Sequence, residues 1–545
     1  MLNKKSSFLA LILPGFLMLM GCANRQSITG GPRDHDPPKL LKATPPNMTR
    51  NFKANTIQLD FDEYFKLTNS FTEITMSPAQ TKIPEYKTSK KSLIIKLKDS
   101  LEKNTTYVIN FGKAIADVNE SNVMKNFTYV FSTGPHIDSL SMSGMVINTT
   151  TGEREKEATV MLFTLKQDSL LFGKKKPTIF TTTDTSGNFS LNNLHDGKYK
   201  IYALKEINGG NKIYDNDKEL IAFTRNIINL QRDTSNIELK LFKETPEKFK
   251  LLEKQHFDQD GKISFFFNKS LDNPSIKIVY PPDFDKYKIA EINKTNDTAT
   301  VYMRNMDFDS LRVTILDNNK PLDTLALRKG KKESFLRILT FQYNLSDLKL
   351  KPRTPLIATA SYPIESFDPA LITLKEDSNE VSNFTIVRDT ANTRKFTVDY
   401  KWKQNANYTL VYNAGAFTDI YAEKNKGAIK HFSLNKPENY SLLTLKVTVP
   451  DSGKSYIVQL LDDRNHILRK DVIHKSGPIV YKDYITGKYN ISVVYDDNKN
   501  GKWDSGNVHL RLLPENIWIN PTVITLRPNW EQETEIIIPK EPSTP

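Results

Sequence analysis

From residue 56 to the end of the chain, apolar and polar residues alternate with a period of two, and this pattern limits the architecture more than any other feature. Thr56-Ile57-Gln58-Leu59-Asp60-Phe61, Tyr107-Val108-Ile109-Asn110-Phe111, Ile263-Ser264-Phe265-Phe266-Phe267 and Tyr408-Thr409-Leu410-Val411-Tyr412 are examples. Successive side chains of a β-strand point to opposite faces, so such segments bury one face only as strands. After the first 21 residues no stretch holds a 3.6-residue apolar period over three turns, which excludes a helical architecture. Aromatic residues make up 10% of the chain, and Asn, Asp, Gly and Pro punctuate the runs. The expected fold is all-β, a string of sandwiches. With a single cysteine, Cys22, no intrachain disulfide can form, and each domain must rest on its own apolar core.

Internal repeats set the domain order. The segment Asn104-Thr105-Thr106-Tyr107 through Gly112 to Asp117 has a partner in Asn405-Ala406-Asn407-Tyr408 through Gly415 to Asp419. Both copies pass from an Asn-x-x-Tyr turn into an alternating strand and end on a small-residue loop with Asp. A second unit recurs as Gly197-Lys198-Tyr199-Lys200-Ile201 and Gly487-Lys488-Tyr489-Asn490-Ile491, each copy running into an Asn/Asp/Gly loop. The order is therefore A, B, a middle stretch, A, B. The middle stretch opens on Lys262-Ile263-Ser264-Phe265, a weak echo of Thr56-Ile57-Gln58-Leu59.

The N-terminus speaks to location. Lys4 and Lys5 precede an apolar run from Phe8 to Met20, too short to span a bilayer, and Leu19-Met20-Gly21-Cys22 follows. This arrangement resembles a bacterial lipobox, which implies a signal peptide at 1–21 and lipidation of Cys22. Three acyl chains, each contributing about 0.8 kcal/mol per buried CH₂, would hold the protein on a membrane. Residues 22–36, with Gly30-Gly31-Pro32, read as a tether reaching up to about 50 Å at roughly 3.3 Å per residue.

Several motifs then resemble known domain families. Residues 37–135 resemble the bacterial Ig-like domain through Thr44-Pro45-Pro46-Asn47, Leu59-Asp60-Phe61-Asp62-Glu63, Asn104-Thr105-Thr106-Tyr107 and Phe131-Ser132-Thr133-Gly134. Residues 136–248 resemble the carboxypeptidase regulatory-like, transthyretin-type sandwich through Ser143-Gly144-Met145-Val146, Asp184-Thr185-Ser186-Gly187-Asn188-Phe189 and His195-Asp196-Gly197-Lys198-Tyr199. The repeats extend this to a degenerate Ig-like domain at 249–335, a second Ig-like domain at 336–436 and a second transthyretin-like sandwich at 437–545. The order behind a lipobox is similar to Ig-like lipoproteins of the Bacteroidota. That resemblance implies a non-catalytic scaffold, with outer-membrane barrel-assembly machinery or a SusC/SusD-like pair among the implied partners.

The chemistry in the sequence agrees with a protein that is not an enzyme. The histidines at 35, 136, 195, 256, 431, 466, 474 and 509 are scattered, and none makes a zinc spacing. There is no Gly-x-Ser-x-Gly elbow and no phosphate-binding glycine loop. The formal net charge of +13 includes Lys4 and Lys5, and the basic residues are spread among 63 acidic ones. No stripe suited to nucleic acid results.

Two patterns stand out as candidate sites. In Asp496-Asp497-Asn498-Lys499-Asn500-Gly501-Lys502-Trp503-Asp504, side-chain oxygens fall at positions one, three, five and nine and Gly at six, as in a calcium loop. The ligands would be Asp496, Asn498, Asn500, Asp504 and the carbonyl of Lys502. Position twelve is Asn507 rather than Glu, so a long hairpin held by Asx-turns is the alternative. In the first copy the spacing is lost, leaving Asp215 and Asp217 as candidate ligands. The second pattern is Asp-Ser/Thr-aliphatic, which resembles an O-glycosylation sequon of the Bacteroidota. Its acceptors are Ser100, Ser139, Ser169, Thr298, Ser310, Thr324 and Thr390. Composition gives only about one or two such triplets.

The expected protein is an outer-membrane lipoprotein held by its lipid, binding envelope proteins and no nucleic acid. Its membrane face is left open, because Ala23-Asn24-Arg25-Gln26 carries no aspartate or acidic run after the cysteine. Glycan binding is the first alternative, for which Trp402, Trp503, Trp518 and Trp530 are too dispersed in sequence to form an evident platform. An unrecognised hydrolase is the second.

Overall fold

The computed structural model describes residues 33–541 except 208–209, 216–217, 254–255 and 331–333. Cys22 and Asp217 lie outside the described residues. The chain divides into two compact units, the first ending at Ser139 and the second beginning at Leu140.

The first unit is a sandwich. One sheet is ordered Leu40–Thr44, Thr56–Phe61, Ser92–Lys96, Glu85–Ser89, and the facing sheet Thr128–Ser132, Thr106–Asn110, Thr75–Ser77. The alternation of Thr56–Phe61 sends Ile57, Leu59 and Phe61 into the core beside Tyr107, Ile109 and Phe131. Tyr107 and Phe131 stack at 5.4 Å.

Among the described residues the second unit holds five apolar clusters. Residues 336–436 repeat the topology of the first unit. Phe341–Tyr343, Leu356–Ala360, Lys395–Asp399 and Thr385–Arg388 form one sheet, and Ala428–Leu434, Asn407–Tyr412 and Ile372–Glu376 are successive strands of the other. Between these, residues 249–335 make two three-stranded sheets around Ile263, Phe265, Val301 and Val313.

The two B units share a different plan. In the first, Leu140–Asn148 pairs antiparallel with Asn188–Leu194 and parallel with Thr234–Lys243. In the second, Tyr440–Thr448 pairs antiparallel with Gly477–Ile485 and parallel with Glu531–Ile537. The Ser143-Gly144-Met145 motif has a steric cause here, since a Cβ on Gly144 would lie 1.9 Å from the Ile237 carbonyl oxygen.

The sequence repeats are structural devices. Asn104 and Asn405 sit at φ +50° and +63°, a left-handed conformation that Asn tolerates. Three residues on, Tyr107 Oη accepts from the Glu102 amide at 2.9 Å and Tyr408 Oη from the Lys403 amide at 2.6 Å. Each is a tyrosine corner closing one end of an Ig-like sandwich. In the B units, Tyr199 donates to the His195 carbonyl at 2.9 Å and Tyr489 to the Ile485 carbonyl at 2.6 Å, pinning each core strand to the turn before it.

Candidate functional site: the loop from 496 to 516

The strand Gly487–Asp496 ends on Asp496, and hydrogen bonds in the loop that follows link Asp496, Asn498, Asn500, Lys502 and Asp504. Asp496 is 1% exposed. Its Oδ1 accepts from the Asn500 amide at 3.0 Å, and its Oδ2 accepts from Ser455 Oγ at 2.8 Å and the Gly501 amide at 3.1 Å. Asn498 Oδ1 accepts from the Asn500 amide at 3.0 Å and Asn500 Oδ1 from the Lys502 amide at 2.7 Å, two Asx-turns in sequence. The side-chain amides of Asn498 and Asn500 both donate to Asp504 Oδ2. Gly501 takes φ +73°, the bend expected of the sixth position.

Sequence reasoning missed two members of this site. Ser455 comes from the neighbouring strand Ser455–Leu461. Glu515 closes the loop from its far end, accepting from the Asp497 amide at 2.9 Å and the Asp504 amide at 3.0 Å. Burial pushes the Glu515 carboxyl up, against those two donors, and the charges of Asp504 and Asp496 add to the rise.

The donor set that the spacing would offer a hard cation is two carboxylates, two amide oxygens and the Lys502 carbonyl, below the six to eight oxygens that calcium takes. Both Asn side chains would have to present Oδ1 in place of Nδ2. Among the described residues no group of three His, Cys, Asp or Glu side chains is placed to hold a metal. In the first copy Asp215 lies beside Lys218 at 3.9 Å. Asp496 lies in the core and not on the surface, so its removal would disturb the sandwich as well as the loop.

Past Asp504 the loop becomes a clasp. Asn507 and Leu512 pair antiparallel, and the tip between them carries Arg511 at φ +57°. This tip packs on the outer face of the first B sandwich, where Val508, Trp503 and Leu513 join Met161, Phe163, Tyr202, Phe223 and Phe242 in one apolar cluster. The Val508 amide donates to Glu244 Oε1 at 2.9 Å, while Glu244 Oε2 accepts from Tyr214 at 2.5 Å, so this carboxylate, 3% exposed, is satisfied on both oxygens. Trp503 Nε1 donates to the Glu515 carbonyl at 2.9 Å. A Cβ on Gly506 would lie 2.6 Å from Phe242 Cζ, so glycine is what lets the loop approach.

The Asp-Ser/Thr-aliphatic residues are not brought together. Ser100, Ser139, Ser169, Thr324 and Thr390 are exposed, while Thr298 and Ser310 are half-buried at strand starts. Their aspartates have structural roles of their own. Asp168 accepts from Tyr202 at 2.7 Å and pairs with Lys200 at 2.6 Å, and Asp389 Oδ1 takes the amides of Ala391 and Asn392. Among the described residues no helix is long and apolar enough to cross a membrane.

Comparison with known proteins places a match to the bacterial Ig-like domain over residues 34–133. No curated protein matches the chain. Among solved structures, the chain is similar to the Bacillus anthracis TIE protein, at 11% identity over 93% of this chain and 75% of that one, with a TM-score of 0.15. The surface-layer protein SbsC matches at 10% identity over 84% and 65%, with a TM-score of 0.15. The major pilin subunit of Bacillus cereus matches at 9% identity over 73% and 98%, with a TM-score of 0.12. The family match thus falls within the unit that ends at Ser139.

Proposed function

We propose that this chain is a lipid-anchored, non-catalytic scaffold of the bacterial envelope, held to the outer membrane through Cys22 and binding envelope proteins through its sandwich edges and loops. The observation that carries this reading is the clasp. A loop of the last sandwich fills the apolar outer face of the first B sandwich and satisfies the buried Glu244, so conformational freedom between domains is given up to fix their arrangement. Fixing the spacing of loops suits a protein that holds partners in place. The bacterial Ig-like match supports an extracellular or envelope setting. Barrel-assembly machinery or a SusC/SusD-like pair are the partners that the resemblance suggests. Ser100, Ser139, Ser169, Thr324 and Thr390 are exposed and so open to O-glycosylation.

The test is purification of the tagged chain from solubilised membranes. Wild type should fractionate with the outer membrane and carry envelope proteins with it, and Cys22→Ser should leave that fraction as an unprocessed precursor. A Cys22→Ser protein that is processed and still membrane-bound would end the anchor assignment. Wild type that brings down no envelope protein would end the scaffold reading.

A further inference from the structure

The two Ig-like domains build the same tyrosine corner but differ in what precedes it. Six residues before the corner tyrosine stands Leu101 in the first copy and Trp402 in the second; eight residues before it stand Asp99 and Tyr400. Leu101 packs against its domain's core as a plain aliphatic side chain. Trp402 packs against the corresponding core, yet its indole Nε1 finds no acceptor in the protein. A buried N–H without a partner costs stability that leucine would not, so packing alone does not account for an indole here.

Tyr400 and Trp402 line a cleft of about 400 Å³, within the roughly 300–1,000 Å³ of small-molecule sites. Their ring centres are 5.2 Å apart. Tyr400 is fixed by its hydrogen bond to Glu376 at 2.8 Å, and Trp402 stands edge-to-face with Tyr408 and Phe432. The rings are therefore held before any ligand arrives, which lowers the ordering cost of binding. Around them the cleft sets the exposed polar groups of Arg353, Asp399 and Gln404.

We propose that this cleft binds a neutral oligosaccharide. A sugar ring has an apolar C–H face suited to an aromatic side chain, and its hydroxyls donate and accept at once. Arg353 offers only donors, Asp399 only acceptors and Gln404 both, which is the mixture such hydroxyls need. Arg353 is already paired with Asp483 at 3.5 Å, so its charge does not call for an anionic ligand. A proline-rich peptide would use the rings as well, but its backbone carbonyls only accept and would make no hydrogen bond to Asp399.

The full chain, in a detergent without a sugar headgroup, is titrated with cellohexaose, xylohexaose, mannohexaose and chitohexaose, and separately with a decaproline peptide, reading tryptophan fluorescence. At least one hexasaccharide is expected to saturate the signal. Trp402→Ala and Gln404→Ala should each weaken that binding about tenfold or more, while Trp530→Ala, at an exposed tryptophan elsewhere, leaves it unchanged. Gln404 is exposed and outside the core, so its variant keeps the test valid if Trp402→Ala does not fold. The proposal falls if no hexasaccharide saturates by about 10 mM, if Gln404→Ala binds as wild type does, or if decaproline saturates where the sugars do not.

Discussion

The guanidinium of Arg511 lies 4.6 Å from the ring centre of Phe223. Its Nη1 donates to Tyr202 Oη at 3.1 Å and its Nη2 donates to the Thr224 carbonyl. Tyr202 in turn donates a hydrogen bond to Asp168, which is paired with Lys200. A cation from the last sandwich is thereby held by an aromatic face, a hydroxyl and a carbonyl of the second, and burial, followed by the nearby Asp168 carboxylate, holds the Tyr202 hydroxyl well above the usual phenol range.

Arg511→Ala should therefore loosen the clasp without unfolding either sandwich, because each keeps its own core. The cation–π contact and two hydrogen bonds together are expected to contribute about 1–3 kcal/mol to docking. Hydrogen exchange would report it as faster exchange in residues 503–513 and in the strand Leu220–Phe223, with the first unit unchanged. Arg511→Lys should restore little, since an ammonium lacks the planar fork that reaches Tyr202 and Thr224 together.

The tyrosine corners should be separable. Tyr107→Phe leaves the Glu102 amide without its acceptor, and Tyr408→Phe does the same to Lys403. Each is expected to lower stability by about 1 kcal/mol, the first in the unit ending at Ser139 and the second in the Ig-like domain of the second unit. Calorimetry of the full chain should show a different transition move in each variant.

How much was legible in the sequence depended on whether a feature was local. The alternation in Thr56–Phe61 and the repeated Asn-x-x-Tyr revealed strands and corners because β pleat and turn conformation are fixed within a few residues. The parallel pairing of Leu140–Asn148 with Thr234–Lys243 joins segments far apart in sequence, which no local pattern marks. The calcium-like spacing picked out Asp496 to Asp504, which share one loop, but Ser455 and Glu515 carry no spacing signal. Nothing in Asn507 to Leu512 marks a clasp, because its meaning lies in an apolar face of another domain. The dispersal of the tryptophans concealed the cleft at Trp402, whose companion is a tyrosine.

Calcium offers a direct test of the loop at 496–504. Two carboxylates and neutral oxygens suit a dissociation constant near 10⁻⁴ to 10⁻³ M. Calcium at about ten times that constant should stabilise the folded state by about 1.4 kcal/mol, a rise of a few degrees in the transition of the last sandwich. Asp504→Asn is the clean variant, because Asp504 is less buried than Asp496 and its loss leaves the Ser455 contact intact. The rise should vanish in that variant. A melting curve unmoved by calcium in the wild type would leave the Asx-turns as the whole account of the sequence pattern.

The last prediction compares the aspartates that close the two A repeats. Asp117 and Asp419 are both buried, at 2% and 1% exposed. Burial acts to raise the Asp117 carboxyl, but the backbone amides of Asn122, Ser121, Glu120 and Asn119 outweigh it and bring it below the ordinary 3.8. For Asp419 burial prevails. Among the described residues only the amides of Tyr421 and Glu423 donate to it, both to Oδ1, while Oδ2 has no partner; the Glu423 charge adds to the rise and Arg337 opposes it. A lowered folded pKa means that Asp117 contributes stability above the unfolded value and loses it as pH falls through the folded one. A raised folded pKa means that Asp419 destabilises at neutral pH, that this penalty begins to fall as pH drops through its folded value, and that it is gone below the unfolded one. At pH 7, Asp117→Asn should thus lower the melting temperature of the first unit, and Asp419→Asn should raise that of the second Ig-like domain. Both differences should shrink as the pH approaches about 4 and below. Melting curves of the two variants across that range decide it, and a destabilising Asp419→Asn at neutral pH would show that its charge is balanced by groups other than the two amides and Arg337.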